Sequence, residues 1–117
     1  MRMKHMGALV LFLAAGAMTL MPTQTAALTV AGFNNISCGS WTQARANHQS
    51  TSMEAWALGF LSGVNYGRSD VEGKDILQGT DADSLYSWLD DYCRSRPLET
   101  FTVAVAQLTI VLKARPH

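Results

Sequence analysis

The residues able to do chemistry are few and widely spaced. Two cysteines, Cys38 and Cys93, an internal histidine, His48, and a terminal one, His117, are the reactive groups outside the first few positions of the 117-residue chain. Nucleophilic catalysis needs a serine or cysteine held beside a base. Ser62, within Gly59-Phe60-Leu61-Ser62-Gly63, lacks the spacing of a nucleophile elbow. His48 falls in a polar break and reads as an exposed loop residue. Asp81 and Asp83 suit the positive end of a helix, and Asp90-Asp91 suit its solvated face. The run Asp70-Val71-Glu72-Gly73-Lys74-Asp75 is acidic, yet it lacks the ligand series of a calcium loop. There is no phosphate-binding glycine loop and no zinc motif. This inventory describes no enzyme: no catalytic residue, metal or cofactor is expected.

The start of the chain indicates where it works. Arg2 and Lys4 precede an uncharged apolar stretch from Gly7 to Met21, and Pro22-Thr23-Gln24-Thr25 leads to Ala26-Ala27. A basic start, an apolar run and small residues at Thr25 and Ala27 form a secretory signal peptide, residues 1–27, cleaved before Leu28. The apolar run falls short of the ~20 residues that span a bilayer. The expectation is an exported, periplasmic protein whose mature domain is residues 28–117. Without Arg2 and Lys4, seven of the nine basic residues face nine acidic ones, a balance that provides no basic field for nucleic acid or anionic lipid. Neither nucleic acid nor, after cleavage, a membrane is an expected partner.

In an oxidising compartment two cysteines in so small a domain are most simply one disulfide; a redox pair or a metal site are the alternatives. Such a staple would help a domain with a small core.

The elements that must position these groups are helical. Leu28 to Ser37 has no helical period and reads as an extended or mobile lead-in. Gly39 to Ala46 is a short helix with Trp41 and Ala44 inward. Thr51-Ser52-Met53-Glu54 has the form of a capping box, and Met53, Trp56, Ala57, Phe60, Leu61 and Val64 follow at helical spacing. Gly59, Gly63 and Gly67 recur every fourth residue in that helix. Each glycine costs ~1 kcal/mol there relative to alanine, which suggests close approach of another backbone. Intramolecular packing is favoured over a dimer seam, and Gly67 could equally end the helix. Arg68 to Gly79 reads as a charged loop, with at most a turn at Asp75-Ile76-Leu77. Thr80-Asp81-Ala82-Asp83 opens a third helix, with Leu85, Trp88, Leu89 and Tyr92 buried beside Cys93. Pro97 suits the first position of a fourth helix, marked by Leu98, Phe101, Val105, Leu108 and Leu112 and running to about Ala114. Its β-branched residues would also suit a strand; its length and proline start favour helix. The expected fold class is all-α, a single-domain bundle of about four helices with one disulfide.

Trp41, Trp56 and Trp88 fall at core spacing. Tyr66 differs: in Asn65-Tyr66-Gly67-Arg68, beside a charged loop, tyrosine and arginine are types favoured at protein interfaces. Covering the helix end is its structural alternative. Tyr66, Arg68, Asp70 and Lys74 are the candidate partner contacts.

Cys38-Gly39-Ser40-Trp41, Trp56-Ala57-Leu58-Gly59-Phe60-Leu61-Ser62-Gly63, Leu85-Tyr86-Ser87-Trp88-Leu89-Asp90-Asp91-Tyr92-Cys93 and Pro97-Leu98 together resemble a group of small exported bacterial proteins. That group is similar to the Rap/Tai immunity proteins of type VI secretion systems and, more loosely, to the HdeA/HdeB acid-stress chaperones. The first resemblance implies capping of a periplasmic cell-wall amidase delivered by a rival, often as a homodimer, through a protruding segment near Tyr66 to Asp75. The second implies a chaperone that partly unfolds in acid and shields unfolded clients. Both imply a small helical periplasmic domain that binds another protein.

Overall fold

The computed structural model describes Gly16 and residues 29–116, so the signal-peptide expectation and His117 lie outside the described residues. Among the described residues there are four helices: α1 (Cys38–Ala46), α2 (Thr51–Glu72), α3 (Ala82–Arg94) and α4 (Phe101–Ala114). No described helix is long and apolar enough to cross a membrane. The all-α reading holds, and so does the disulfide: Cys38 and Cys93 are bonded with their Cα atoms 4.7 Å apart.

Helix α4 sits at the centre and packs against each of the other three. Its Phe101, Ala104, Val105, Leu108 and Leu112 are buried together with Trp41, Leu61, Leu85 and Leu89. The β-branched residues that left strand open as an alternative are accommodated because burial against three helices outweighs a weak local preference. Thr109 is buried as well, its hydroxyl donating to the Val105 carbonyl at 3.2 Å.

The ends of the elements depart from the sequence pattern in instructive ways. The Thr51–Glu54 capping box does not form. Ser50 precedes α2 without a side-chain capping bond, and its hydroxyl donates instead to Glu54 Oε1 at 2.6 Å. Thr80 does not cap α3; Asp81 does, in a reciprocal box with Ser84, while the Thr80 hydroxyl donates to the Leu77 carbonyl. Pro97 is not the first residue of α4. It lies in a turn, Thr100 caps α4, and Leu98, expected on its inner face, is 95% exposed. The reason lies at the start of α1, whose first amides have no partner within their own helix. The Cys38 N–H donates to the Glu99 carbonyl at 2.7 Å and Gly39 N–H to the Pro97 carbonyl at 2.9 Å. A single antiparallel bridge, Ser37 to Thr100, completes the stitch.

Helix α2 runs past Gly67 to Glu72 and ends at Gly73, whose φ of 61° is the left-handed cap. The loop beyond it is more ordered than its charge suggests. Ile76 is a core residue, and Asn65 pins the loop by accepting from the Ile76 N–H at 3.0 Å and donating to Asp75 at 2.8 Å.

The glycine row is a correction. Gly59, Gly63 and Gly67 are exposed, and a Cβ placed on any of them meets nothing within 4 Å. No neighbouring backbone of the described residues uses that stripe. Alanine at Gly59 or Gly63 is therefore expected to raise stability by about 1 kcal/mol each, read as a higher urea midpoint with an unchanged slope.

Candidate functional site

Two regions carry the polar and aromatic side chains that could act on something else. The first is the outward face of α2. Ala55, Gly59, Ser62, Gly63 and Tyr66 share it at helical spacing, and all are exposed. Between Glu54 and Arg68 the helix carries no charged residue. The strip from Ala55 to Tyr66 is ~16 Å long at helical rise. A surface helix ordinarily turns charged residues to water; this one turns small residues that bring the backbone within reach, ending in a tyrosine that is 81% exposed.

The remaining candidate contacts are not gathered around Tyr66. Arg68 is half-buried and reaches Glu72 at 3.6 Å within the same helix. The Lys74 ammonium donates to the Lys113 carbonyl and so ties the loop to the end of α4. Arg115 strengthens that tie through the Ile76 and Gln78 carbonyls at 2.9 and 3.0 Å. Asp70 belongs to α2, its side chain outside the described residues. Tyr66 and the small-residue face are thus exposed, while Arg68 and Lys74 are engaged within the chain.

The second region is an ionic cluster that joins three helices. The Arg45 guanidinium of α1 donates from Nε and Nη2 to the Asp90 carboxylate of α3 at 3.1 Å each, and from Nη1 to Glu54 of α2 at 2.7 Å. The Trp41 indole N–H donates to Asp90 Oδ1 at 2.9 Å. Arg45 also lies over the Trp41 and Tyr86 rings, 5.5 and 5.4 Å from their centroids. Asp90 is thus no solvated helix-face residue, and Glu54 is no capping-box residue. Sequence reasoning missed this cluster because its hydrogen-bonded pairs lie 9 to 49 residues apart on three different helices, beyond the reach of any local period.

A surface hollow of about 360 Å³ opens beside the cluster, lined by Thr42, Arg45, Ala46, His48, Asp90 and Arg94. His48 takes a left-handed φ of 54° just past α1, where its N–H donates to the Arg45 carbonyl and that of Gln49 to Ala44. Its conformation closes the helix in the manner usually assigned to glycine. On the rim of the hollow the Asp90 carboxylate accepts from both Trp41 and Arg45. Among the described residues no three His, Cys, Asp or Glu side chains converge to hold a metal.

The cluster makes stability depend on acidity. The hydroxyl of Ser50 and the Arg45 guanidinium, working against partial burial, hold Glu54 below the usual carboxylate range. The Ser84 N–H and hydroxyl do the same for Asp81. A carboxylate depressed in the folded state stabilises above its unfolded value and loses that contribution as pH falls through its folded one. With ordinary carboxylates near pH 4, stability contributed by Glu54 and Asp81 is expected to persist at neutral pH and to fade below about pH 4. Glu54→Gln should lower the melting temperature at pH 7 and flatten its fall between pH 5 and pH 2. A parallel fall in both proteins would remove Glu54 from the acid response.

Comparison with known proteins finds no match to the chain among family models, curated proteins or solved structures.

Proposed function

We propose that this chain is an exported, periplasmic, non-enzymatic module that acts by binding another protein, as an immunity-type inhibitor of a secreted cell-wall-degrading effector. The observation that carries the reading is the uncharged, exposed face of α2 ending in Tyr66. Small residues there let a partner surface lie close to the helix backbone, and the tyrosine offers a large, stiff contact of the kind that dominates interfaces. The resemblance of the Cys, Trp and Gly pattern to Rap/Tai immunity proteins supports the choice of partner class.

The test uses the purified, disulfide-bonded domain against periplasmic cell-wall amidases carried by secretion-system effectors. Tyr66→Ala should weaken a complex by about 2 kcal/mol, roughly 30-fold, while leaving the unfolding curve unchanged. Gly63→Ala should stabilise the free domain yet weaken the complex. Full binding by both variants would remove this face from the interface, and retained turnover inhibition without complex formation would sink the reading.

A second reading, an acid-stress chaperone, draws on the Arg45 cluster. Glu54 ties α2 to α1 through a carboxylate that loses its charge in acid, which weakens the ion pair holding α2 to Arg45. Suppression of client aggregation that begins where the helices loosen, near pH 3, would place this reading first. Acid unfolding without client protection would leave the dedicated binder.

A further inference from the structure

Helix α4 is apolar on the side that the core does not cover. Val103, Gln107, Ile110, Val111 and Ala114 are all exposed there. Val103, Ile110 and Val111 keep 39%, 57% and 41% of their surface in water. Of the 14 residues of the helix only Lys113, in its last turn, carries a charge. A surface helix ordinarily gives its outer face to charged side chains, and one that is apolar all round is ordinarily covered all round. Scattered apolar residues need no explanation, but these form one row. Val103, Gln107, Ile110 and Ala114 recur in steps of four, three and four residues, the spacing of a helix–helix seam.

The row is complementary to a second copy of itself. Val103 and Val111 stand four residues to either side of Gln107. In an antiparallel pair with its two-fold axis at Gln107, Val103 of each copy lies against Val111 of the other. The two Gln107 amides meet on the axis, and an amide both donates and accepts, so each satisfies the other. A lone polar residue in an apolar seam fixes register in this way. The charges agree with that direction. Lys113 lies in the last turn of the helix and Glu99 two residues before its first. A parallel pair would set Lys113 against Lys113. The antiparallel pair turns it toward the other copy's Glu99 and opposes the two helix dipoles. The strip from Val103 to Ala114 is ~16 Å long at helical rise, a contact smaller than a standard interface, so the association is weak.

We propose that α4 is the seam of a weak two-fold homodimer, in which the outward faces of two α4 helices pack antiparallel about Gln107. A self-complementary patch of this kind uses the same surface on both copies and ends assembly at two. It shares no residue with the α2 face that ends in Tyr66, so either can fail without the other.

Sedimentation of the exported, disulfide-bonded protein should show a monomer–dimer equilibrium with a dissociation constant of about 10–100 μM. Val103→Glu and Val111→Lys, each at an exposed site, should keep helical circular dichroism and weaken association roughly tenfold or more. Combining them should restore the dimer, because the antiparallel register sets each glutamate beside the partner's lysine. Unlike the natural dimer, the restored one should weaken as salt is added. Gln107→Arg places like charges on the axis without touching the core, and repeats the test should either substitution disturb folding. Tyr66→Ala should dimerise as the natural protein does. A natural protein that stays monomeric to about 1 mM would overturn the proposal. So would single variants that associate as tightly as the natural protein, since the contact would then lie on another face. A double variant that stays monomeric would overturn the antiparallel register, and a dimer lost in Tyr66→Ala would assign it to α2 instead.

Discussion

Replacing Cys38 and Cys93 together by alanine is expected to lower the unfolding free energy by about 4 kcal/mol on the chain-entropy account of a loop this long. The bridge spans 55 positions and joins the first residue of α1 to the last turn of α3. Both cysteines are fully buried, so the double variant also loses packing against Trp41 and its neighbours. Small domains command only ~5–15 kcal/mol in total, and this one sits among the shorter chains. Urea unfolding followed by circular dichroism should show the midpoint fall by a large fraction, with the same loss on reducing the natural protein. An unchanged midpoint would mean that helix packing alone carries the fold and that the bridge is incidental.

Trp41→Ala should cost 3–5 kcal/mol, the range of about what truncating a large buried aromatic removes. Trp41 is fully buried and stacks on Phe101 with centroids 4.9 Å apart. Its indole N–H also satisfies Asp90, so truncation leaves a cavity and an under-satisfied carboxylate at once. Trp41→Phe separates the two effects. It keeps most of the ring contact and gives up the hydrogen bond, and should recover all but ~1–2 kcal/mol. Equal losses in both variants would place the larger share of the energy in the bond to Asp90. Since Arg45 also rests on Trp41, Trp41→Ala should flatten the fall of stability in acid by loosening the guanidinium that helps hold Glu54 below the usual carboxylate range.

The Tyr66 face was half legible. Tyrosine beside a charged loop pointed to an interface residue, and it is among the most exposed large side chains. The glycine row of the same helix pointed inward and proved to face out. A four-residue spacing says only that residues share one helix face. Which neighbour that face meets depends on how the helix is rotated in the bundle, and Ala57, Leu61 and Met53 settle that rotation through burial. The seating of residues 29–36 on Trp56 was invisible for a related reason. An irregular stretch has no period, so nothing in it announces that Phe33 and Gly32 meet an indole 23 or more positions away.

Local order set most of what the chain declared by itself. The apolar spacing of Trp56, Leu61 and Leu85 with Leu89, the acidic start at Asp81 and the pair of cysteines determined an all-α domain, its four helices and their staple. Those features report interactions between residues three or four apart, or a covalent bond with one available partner. Tertiary structure alone decided that Arg45 would gather Asp90 and Glu54, that Ile76 would be core and Leu98 exposed, and that Pro97 would serve the start of α1. Each outcome is a competition for one partner among residues distant in the chain. Only the folded arrangement ranks those distances, because a buried donor or acceptor takes the nearest group that satisfies it.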